Sequence, residues 1–368
     1  MSWQLRASDL PDLARGATLL GTGGGGDPYI GRMLAERVLG DRAITVLDPD
    51  DLADEAFVIP TAQMGAPTVM VEKIPAGTEP TLALRTLEEH LGRKADATMP
   101  IECGGINSMI PLIVAAETGL PVVDADGMGR AFPELYMETF AVYGVHGSPL
   151  AIAGERGERV VIDTGDDDRQ MEWLARGITI RLGGVAHIAE YAMTGAEVKR
   201  TAVPRTLSMA LSLGRSMRLA REEHRSPFDA IALTLAGTQY AHVRELFVGK
   251  VTDVERRTTD GFAKGRAVIS GTGDGEDFEI EFQNENLIAR RGGEVVAIVP
   301  DLVCVVDHES AEPITTEGLR YGQRVRVLGI STPEMMRTPE ALEAFGPSSF
   351  GLKEDFAPVE GAAVALRP

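Results

Sequence analysis

Cysteine is almost absent from the chain of 368 residues: Cys103 and Cys304 are the only two, and they lie far apart. Two distant thiols do not suggest the disulfide framework of small secreted domains, so we expect a protein of the reducing cytoplasm. The first residues lack the basic start and the apolar core of a secretory signal. No apolar run approaches the ~18 residues that span a bilayer, and we expect no membrane partner.

Positive charge is also scarce, with 36 Lys and Arg residues against 55 Asp and Glu residues and a formal net charge of −19. Nucleic-acid binding depends on Lys and Arg side chains that neutralise phosphates, so this balance argues against a nucleic-acid partner. The patterns H-E-x-x-H, G-x-S-x-G and the P-loop are missing as well. Their absence leaves zincin, nucleophile-elbow hydrolase and P-loop NTPase functions without support.

The pattern of predicted helices and strands indicates two domains with different secondary structure. In residues 1–166 helical patterns alternate with short β-branched runs, among them 43–48, 56–60 and 68–75, which predicts an α/β domain with a mainly parallel sheet. Residues 167–368 form the second predicted domain. At about 241–330 its strands recur every eight to twelve residues with Gly and Asp turns, which predicts a small barrel or sandwich.

The stretch "LLGTGGGGDPYIG" (Leu19 to Gly31) contains four consecutive glycines. Gly21, Gly23 and Gly26 match G-x-G-x-x-G, and Asp48 follows about 20 residues later, so an NAD-dependent oxidoreductase is one alternative. A dinucleotide-binding loop follows a buried strand, however, whereas the residues before Gly21 have the periodicity of a helix. The context therefore disfavours a nicotinamide site.

A second interpretation of the same loop is a cradle for a substrate. The N–H groups of Gly23, Gly24, Gly25 and Gly26 would converge on an anionic or carbonyl oxygen at the N-terminus of the helix that begins after Asp27. The Asp27 side chain would either project into this site or cap the helix. A plain turn between two helices would need only one or two of these glycines.

Carboxylates also follow two predicted strands of the first domain. In "PIECGGIN", Glu102, Cys103 and Asn107 lie at a strand end, where ligands of parallel sheets bind. Cys103 is a nucleophile, a metal ligand or a small buried residue. In "VVDADG", Asp124 and Asp126 lie on the same side of an extended segment, and they would hold a divalent cation, share a proton or form an acidic turn.

Several of these motifs together resemble the S-methyl thiohydantoin desulfurase family, long catalogued as domain of unknown function 917. They are "LGTGGGGDPYIG", "MGAPTVMVEK", "ECGGINSMIPLIVAAETGLPVVDADGMGRAFPEL", "QNENLIA", "VPDLVCVVD" and "LRYGQRVRV", and the resemblance extends to "GPSSFG" near residue 350. The resemblance implies an N-terminal three-layer α/β domain and a C-terminal part with a β-barrel-like module. It further implies a bacterial catabolic enzyme that acts on thiohydantoins or related cyclic ureides.

We therefore expect a hydrolase or desulfurase that activates water with carboxylates, with a divalent metal, zinc first, as an optional cofactor at Asp124 and Asp126. A noncatalytic protein that binds a small cyclic amide is a further alternative. We also expect a homo-oligomer. The expected catalytic residues are Asp27, Glu102, Cys103, Asp124 and Asp126, the expected substrate-binding residues are Gly23, Gly24, Gly25, Gly26 and Asn107, and His146 and His187 are additional candidate bases or ligands.

Overall fold

A computed structural model describes residues 2–65, 69, 76–259, 261–271 and 277–361. The predicted strand at 68–75 lies, apart from Val69, outside these residues. The α-helices of the described residues are α1 (Leu10–Leu20), α2 (Pro28–Leu39), α3 (Glu79–Leu91), α4 (Ile110–Thr118), α5 (Thr139–Val142), α6 (Asp168–Arg181), α7 (Gly195–Thr201), α8 (Thr206–Glu222), α9 (Pro227–Leu235) and α10 (Pro339–Phe345).

The strands divide between two large sheets and one short ladder. Those of the first sheet are β1 (Trp3–Arg6), β2 (Ala43–Leu47), β3 (Phe57–Gly65), β4 (Ala97–Met99), β5 (Val122–Val123), β7 (Leu150–Ala153), β8 (Arg159–Ile162), β9 (Val185–Ala189) and β10 (Met193–Thr194). The short ladder joins β6 (Ala125–Asp126) to β11 (Val203–Pro204). The second sheet contains β12 (Val243–Thr259), β13 (Phe262–Gly271), β14 (Asp277–Gln283), β15 (Glu285–Arg291), β16 (Glu294–Ile298), β17 (Leu302–Asp307) and β18 (Arg324–Ile330).

The first sheet has the order β1-β2-β5-β4-β3-β9-β7-β8, with β10 beside the start of β3. The pairs β2/β5, β5/β4 and β4/β3 are parallel, and the other pairs of this sheet are antiparallel. The predicted α/β class is thus confirmed, with the parallel strands at the centre of a mixed sheet. Strands β9 and β10, which follow residue 166 in the chain, complete this sheet.

The second sheet is entirely antiparallel, with the order β16-β15-β14-β13-β12-β18-β17, and it confirms the predicted C-terminal β-module. The sheet curls so that its distant strands meet: the Nδ2 of Asn286 on β15 donates a hydrogen bond of 2.8 Å to the carbonyl of Val303 on β17. These two strands are far apart in the strand order. The curled sheet encloses a core of its own that includes Phe247, Phe278 and Ile280.

Helices α1 and α8 pack directly on each other in the core beside the first sheet. A Cβ atom at Gly16 would lie 1.8 Å from the carbonyl oxygen of Ala210, and one at Gly214 would lie 1.8 Å from that of Asp12. Arg218 on α8 also donates to Asp12 at 2.9 Å. None of the described helices combines the length and the apolar character that crossing a bilayer requires. Gly16 and Gly214 therefore set the distance between α1 and α8.

We predict that Gly214→Ala lowers the free energy of unfolding by about 1–3 kcal/mol, because the added methyl group forces the two helices apart. Gly177 on α6 is the matched control, since a Cβ atom there would meet nothing within 4 Å. Gly177→Ala should raise the free energy of unfolding by about 0.5–1 kcal/mol through its higher helix propensity. Denaturant titrations of both variants measure this, and equal effects of the two substitutions would contradict the close helix contact.

Candidate active site

A small cavity lies at the carboxyl ends of β3 and β4, where the β-module covers the first sheet. Its volume is about 70 Å³. Since one water molecule needs roughly 10–15 Å³ of such space, the cavity has room for a small molecule. The lining residues are Gly25, Gly26, Gln63, Met64, Gly65, Ile101, Glu102, Ile106, Asn107, Met128, Phe132, Pro133, Leu135, Arg176, Val185, Asn284 and Glu285.

The glycine loop forms one wall of the cavity and is hydrogen-bonded to both halves of the chain. The carbonyl of Gly25 accepts from the N–H of Ile106 at 2.8 Å, which ties the loop to the segment after β4. The carbonyl of Gly23 accepts from the N–H of Thr316 at 2.8 Å, which ties it to the β-module. The loop is therefore the junction between the first sheet and the curled sheet.

Side chains would not fit at the centre of this loop. A Cβ atom at Gly24 would lie 2.0 Å from the Oε1 of Glu285, and one at Gly25 would lie 2.5 Å from the Cα of Gly104. Gly25 and Gly26 also have φ angles of +75° and +81°, which L-residues with side chains rarely adopt. Within the described part of the chain, no acceptor is found for the N–H groups of Gly25 and Gly26. These two donors lie at the cavity wall.

Glu102 enters the cavity from the loop that follows β4. Its Oε1 accepts from the Nδ2 of Asn107 at 2.6 Å, and its Oε2 accepts from the N–H of Phe132 at 3.3 Å. Asn107 is itself fixed by the backbone of Gln63, whose N–H donates to its Oδ1 at 2.8 Å. Burial raises the pKa of Glu102 to about 7 although both hydrogen bonds lower it. This carboxyl therefore changes its charge near neutral pH.

Glu285 enters the same cavity from the first residue of β15, on the other half of the chain. It is buried, and no hydrogen-bond partner is found for its Oε2 among the described residues. Burial, and then the nearby carboxylate of Glu102, raise the pKa of Glu285 well above its ordinary value. Two carboxyl groups from distant parts of the chain thus share one cavity, and one of them has an oxygen without a donor among the described residues.

Arg130 links the two halves of the chain behind these carboxyl groups. It is fully buried, and its guanidinium group donates to the carbonyls of Pro300 at 3.1 Å, Asp301 at 3.0 Å and Asn286 at 3.0 Å. Carbonyl oxygens do not neutralise the guanidinium charge. That charge partly offsets the rise in the pKa of both Glu102 and Glu285.

Two of the expected catalytic residues do not line the cavity. Asp27 caps α2, because its Oδ1 accepts from the N–H groups of Tyr29 at 2.7 Å and Ile30 at 3.3 Å. Cys103 is buried, and burial together with the nearby carboxylate of Asp126 raises the pKa of its thiol well above the ordinary value. Both arrangements are those of structural residues, since a reactive cysteine needs a stabilised thiolate.

Asp124 and Asp126 lie next to β11 and α8, outside the cavity lining. The oxygens of Asp124 accept from the N–H of Ser208 at 3.0 Å and the indole of Trp3 at 3.4 Å, and Asp126 accepts from the N–H of Met128 at 2.7 Å. No group of three His, Cys, Asp or Glu side chains in the described ranges could hold a metal ion. This donor set does not fit a divalent cation.

The remaining candidates from the sequence also lie outside the cavity lining. Asp48 binds the guanidinium of Arg205 at 2.8 Å, and Gly21 directly follows α1 rather than a strand. His187 on β9 is buried, which lowers its pKa to about 4 and keeps the imidazole neutral. His146 is half-exposed and contacts Asp168. The geometry of a dinucleotide site is therefore not assembled around the glycine loop.

Sequence reasoning from strand ends missed the partner carboxyl, Glu285, and its neighbour Asn284. Both lie in "QNENLIA", a motif that contributed to the resemblance but suggested no chemistry of its own. Gln63 was also missed, although it lines the cavity and its Nε2 has no partner among the described residues. Only the packing of the β-module onto the first sheet brings Asn284 and Glu285 to Glu102, whereas Gln63 already lies near it on β3.

Comparisons with known proteins agree with this architecture. A crystal structure of a protein from Chromobacterium violaceum is similar to the chain with a TM-score of 0.80 and 26% identity, covering 97% of this chain and 100% of that one. No curated protein matches the chain. The family model described as S-Me-THD-like, N-terminal domain, matches residues 8–164, and that described as S-Me-THD-like, C-terminal domain, matches residues 166–359.

The two family models together cover nearly the whole chain, and they correspond to the family that its motifs resemble. Membership suggests an enzyme with a function related to hydantoin metabolism. The chain therefore belongs to the S-Me-THD-like family, the family of the S-methyl thiohydantoin desulfurases.

Proposed function

We propose that the protein is a hydrolase that removes sulfur from a thiohydantoin or S-methyl thiohydantoin ring. The observation that carries this proposal is the pair of carboxyl groups in one cavity: Glu102 accepts hydrogen bonds on both of its oxygens, whereas the Oε2 of Glu285 has no partner among the described residues. Such a pair separates the roles of general base and general acid. The small volume of the cavity supports a ring-sized substrate.

In the proposed reaction Glu102 acts as the base. Its hydrogen bonds from Asn107 and Phe132 stabilise the carboxylate form, so a fraction of the enzyme holds it ionised at neutral pH. A carboxylate oxygen has lone pairs left after accepting one hydrogen bond, and it can take a proton from water. The water oxygen then forms a bond to the ring carbon that carries sulfur, giving a tetrahedral intermediate.

Glu285 acts as the acid. Burial and the nearby carboxylate of Glu102 raise the pKa of Glu285 well above its ordinary value, and its Oε2 has no donor among the described residues, so its surroundings favour the acid form. As the carbon–sulfur bond breaks, the sulfur keeps the electron pair and takes the proton of Glu285. The N–H groups of Gly25 and Gly26 and the Nε2 of Gln63 are the donors available to the ring oxygens and the developing negative charge.

We predict that Glu285→Gln lowers kcat for an S-methyl thiohydantoin by about 10²–10⁴-fold, the usual contribution of a positioned acid or base. Glu279→Gln on the preceding strand is the control, because Glu279 pairs with Arg266 away from the cavity. Thiol release, followed with a thiol reagent in the presence and absence of a chelator, gives both rates.

Wild-type kcat in the Glu285→Gln variant would contradict this role. If the wild-type protein binds ring compounds but does not turn them over, the result would instead favour a noncatalytic binding protein. Loss of activity on chelation would contradict the reaction proposed for the two carboxyl groups alone and would support the divalent metal that the sequence suggested.

We predict a bell-shaped dependence of kcat/KM on pH. The base must be ionised, so the rate should rise as pH increases through about 7, the pKa of Glu102. The acid must be protonated, so the rate should fall again at higher pH as Glu285 loses its proton. The residual rate of Glu102→Gln should lack the rise near 7, and an unchanged profile in that variant would contradict the assignment.

We further predict that two neighbouring glycines differ in their effects. Gly24→Ala places its methyl group against the Glu285 carboxyl and should lower kcat more than stability, because a side chain can shift. Gly25→Ala meets backbone at a positive φ and should cost about 1–3 kcal/mol of folding free energy. Melting curves and kcat of the two variants measure these effects. Gly237→Ala is the control, because a Cβ atom there would meet nothing within 4 Å. Equal losses of kcat and of stability in the Gly24→Ala and Gly25→Ala variants would contradict this difference.

A further inference from the structure

Two hydrogen-bond donors in the cavity wall take no part in the proposed reaction. They are the Nη1 of Arg176 on α6 and the Nδ2 of Asn284, the residue before β15. Among the described residues, no acceptor is found for either nitrogen. The side chain of Arg176 is only 12% exposed and Asn284 only 6%. A donor that lines a cavity and has no protein acceptor is available to a ligand.

The guanidinium group of Arg176 is held in a way that leaves Nη1 free. Its Nε donates to the Oε1 of Glu172 at 2.7 Å, and its Nη2 donates to the carbonyl of Pro133 at 2.8 Å. The Oε2 of Glu172 accepts from the N–H of Leu135 at 3.0 Å, which fixes this carboxylate to a segment of the cavity wall. The ring centre of Phe262 on β13 lies 4.7 Å from the guanidinium carbon. The fork of Arg176 is therefore oriented before any ligand binds.

Asn284 lies beside Arg176, because consecutive residues of β13 contact the two side chains. Phe262 contacts the guanidinium group, and the N–H of the next residue, Ala263, donates to the Oδ1 of Asn284 at 2.8 Å. The carbonyl of Ala263 also accepts from the N–H of Asn284 at 2.8 Å. Because Oδ1 already serves as the acceptor, the amide presents its donor, Nδ2, to the cavity.

Helix α6 also joins these two donors to the part of the cavity that the proposed reaction assigns to the ring. Residues three apart lie on the same face of a helix, so Thr179 follows Arg176 on one face. The hydroxyl of Thr179 donates to the sulfur of Met64 at 3.4 Å. Met64 follows Gln63, whose Nε2 is a proposed donor to the ring oxygens. The donors of Arg176 and Asn284 therefore adjoin the ring position.

We infer that Arg176 and Asn284 form a subsite for a carboxylate on the side chain of the substrate ring. A guanidinium fork and a neighbouring amide donor complement the two oxygens of one carboxylate. A substituent without an acceptor would leave both donors unpaired, which a binding site penalises. This inference rests on the proposed function and deepens it, because it assigns the substrate to the thiohydantoins that derive from acidic amino acids.

The test compares 5-carboxymethylhydantoin with its amide, 5-carbamoylmethylhydantoin. The two compounds have nearly the same shape, contain no sulfur to release, and differ in charge at pH 7. Calorimetric titration of the full-length protein gives both Kd values. We expect the acid to bind about 10–100-fold more tightly, the range of a charge-assisted hydrogen bond. Equal Kd values, tighter binding of the amide, or no binding of either compound would overturn the subsite.

Two variants test the residues themselves. Arg176→Gln should bring the two Kd values to within about twofold of each other. Asn284→Asp keeps an acceptor for the N–H of Ala263 but replaces the Nδ2 donor with a carboxylate oxygen, so the variant should prefer the amide. Arg181→Gln, at the exposed end of the same helix, is the control and should keep the wild-type ratio. A wild-type ratio in folded Asn284→Asp would also overturn the subsite.

Thiol release separates this inference from the proposed function. The S-methyl thiohydantoins that carry the same two side chains serve as substrates. If neither compound releases thiol while the acid analogue still binds more tightly than the amide, the proposed function is refuted and the carboxylate subsite stands. If both compounds release thiol with equal kcat/KM and the two analogues bind equally, the subsite alone is refuted.

Discussion

The site depends on the close contact of three chain segments that only glycine permits. The glycine loop meets the segment after β4 at Gly25 and Gly104, and it meets the start of β15 at Gly24 and Glu285. A side chain at Gly25 would meet the backbone of Gly104, and one at Gly24 would displace the carboxyl of Glu285. The contact closes the cavity, and the exclusion of water is what raises the pKa values of the carboxyl groups inside it.

The same contact explains why the two carboxyl groups differ. Glu102 belongs to a loop whose neighbours, Asn107 and the backbone of Phe132, supply two hydrogen bonds to its carboxylate. Glu285 belongs to the β-module, and no donor for its Oε2 is found among the described residues. The guanidinium group of Arg130 donates to the carbonyl of Asn286, and its charge partly offsets the rise in the pKa of both glutamates. Acid and base are thus assigned by local surroundings rather than by residue type.

The sequence predicted much of the fold but only four of the residues that line the cavity, Gly25, Gly26, Glu102 and Asn107. The helix before the glycines, the parallel strands and the C-terminal β-module depend on local periodicity, and Glu102 and Asn107 follow from the rule that ligands bind at strand ends. Asp27, by contrast, has the local pattern of a cap and is one. Glu285 could not be predicted, because its role depends on a contact between segments about 180 residues apart in the chain.

The central claim is that the cavity holds one carboxyl that titrates near neutral pH and a second that stays protonated. Carbon NMR of the protein with labelled glutamate carboxyl groups tests it, with Glu102→Gln and Glu285→Gln assigning the two resonances. The account predicts that the Glu102 resonance titrates with a midpoint of about 7 and that the Glu285 resonance remains that of the acid form at this pH. Two carboxyl groups that both titrate near the ordinary glutamate value of 4.5 would contradict it.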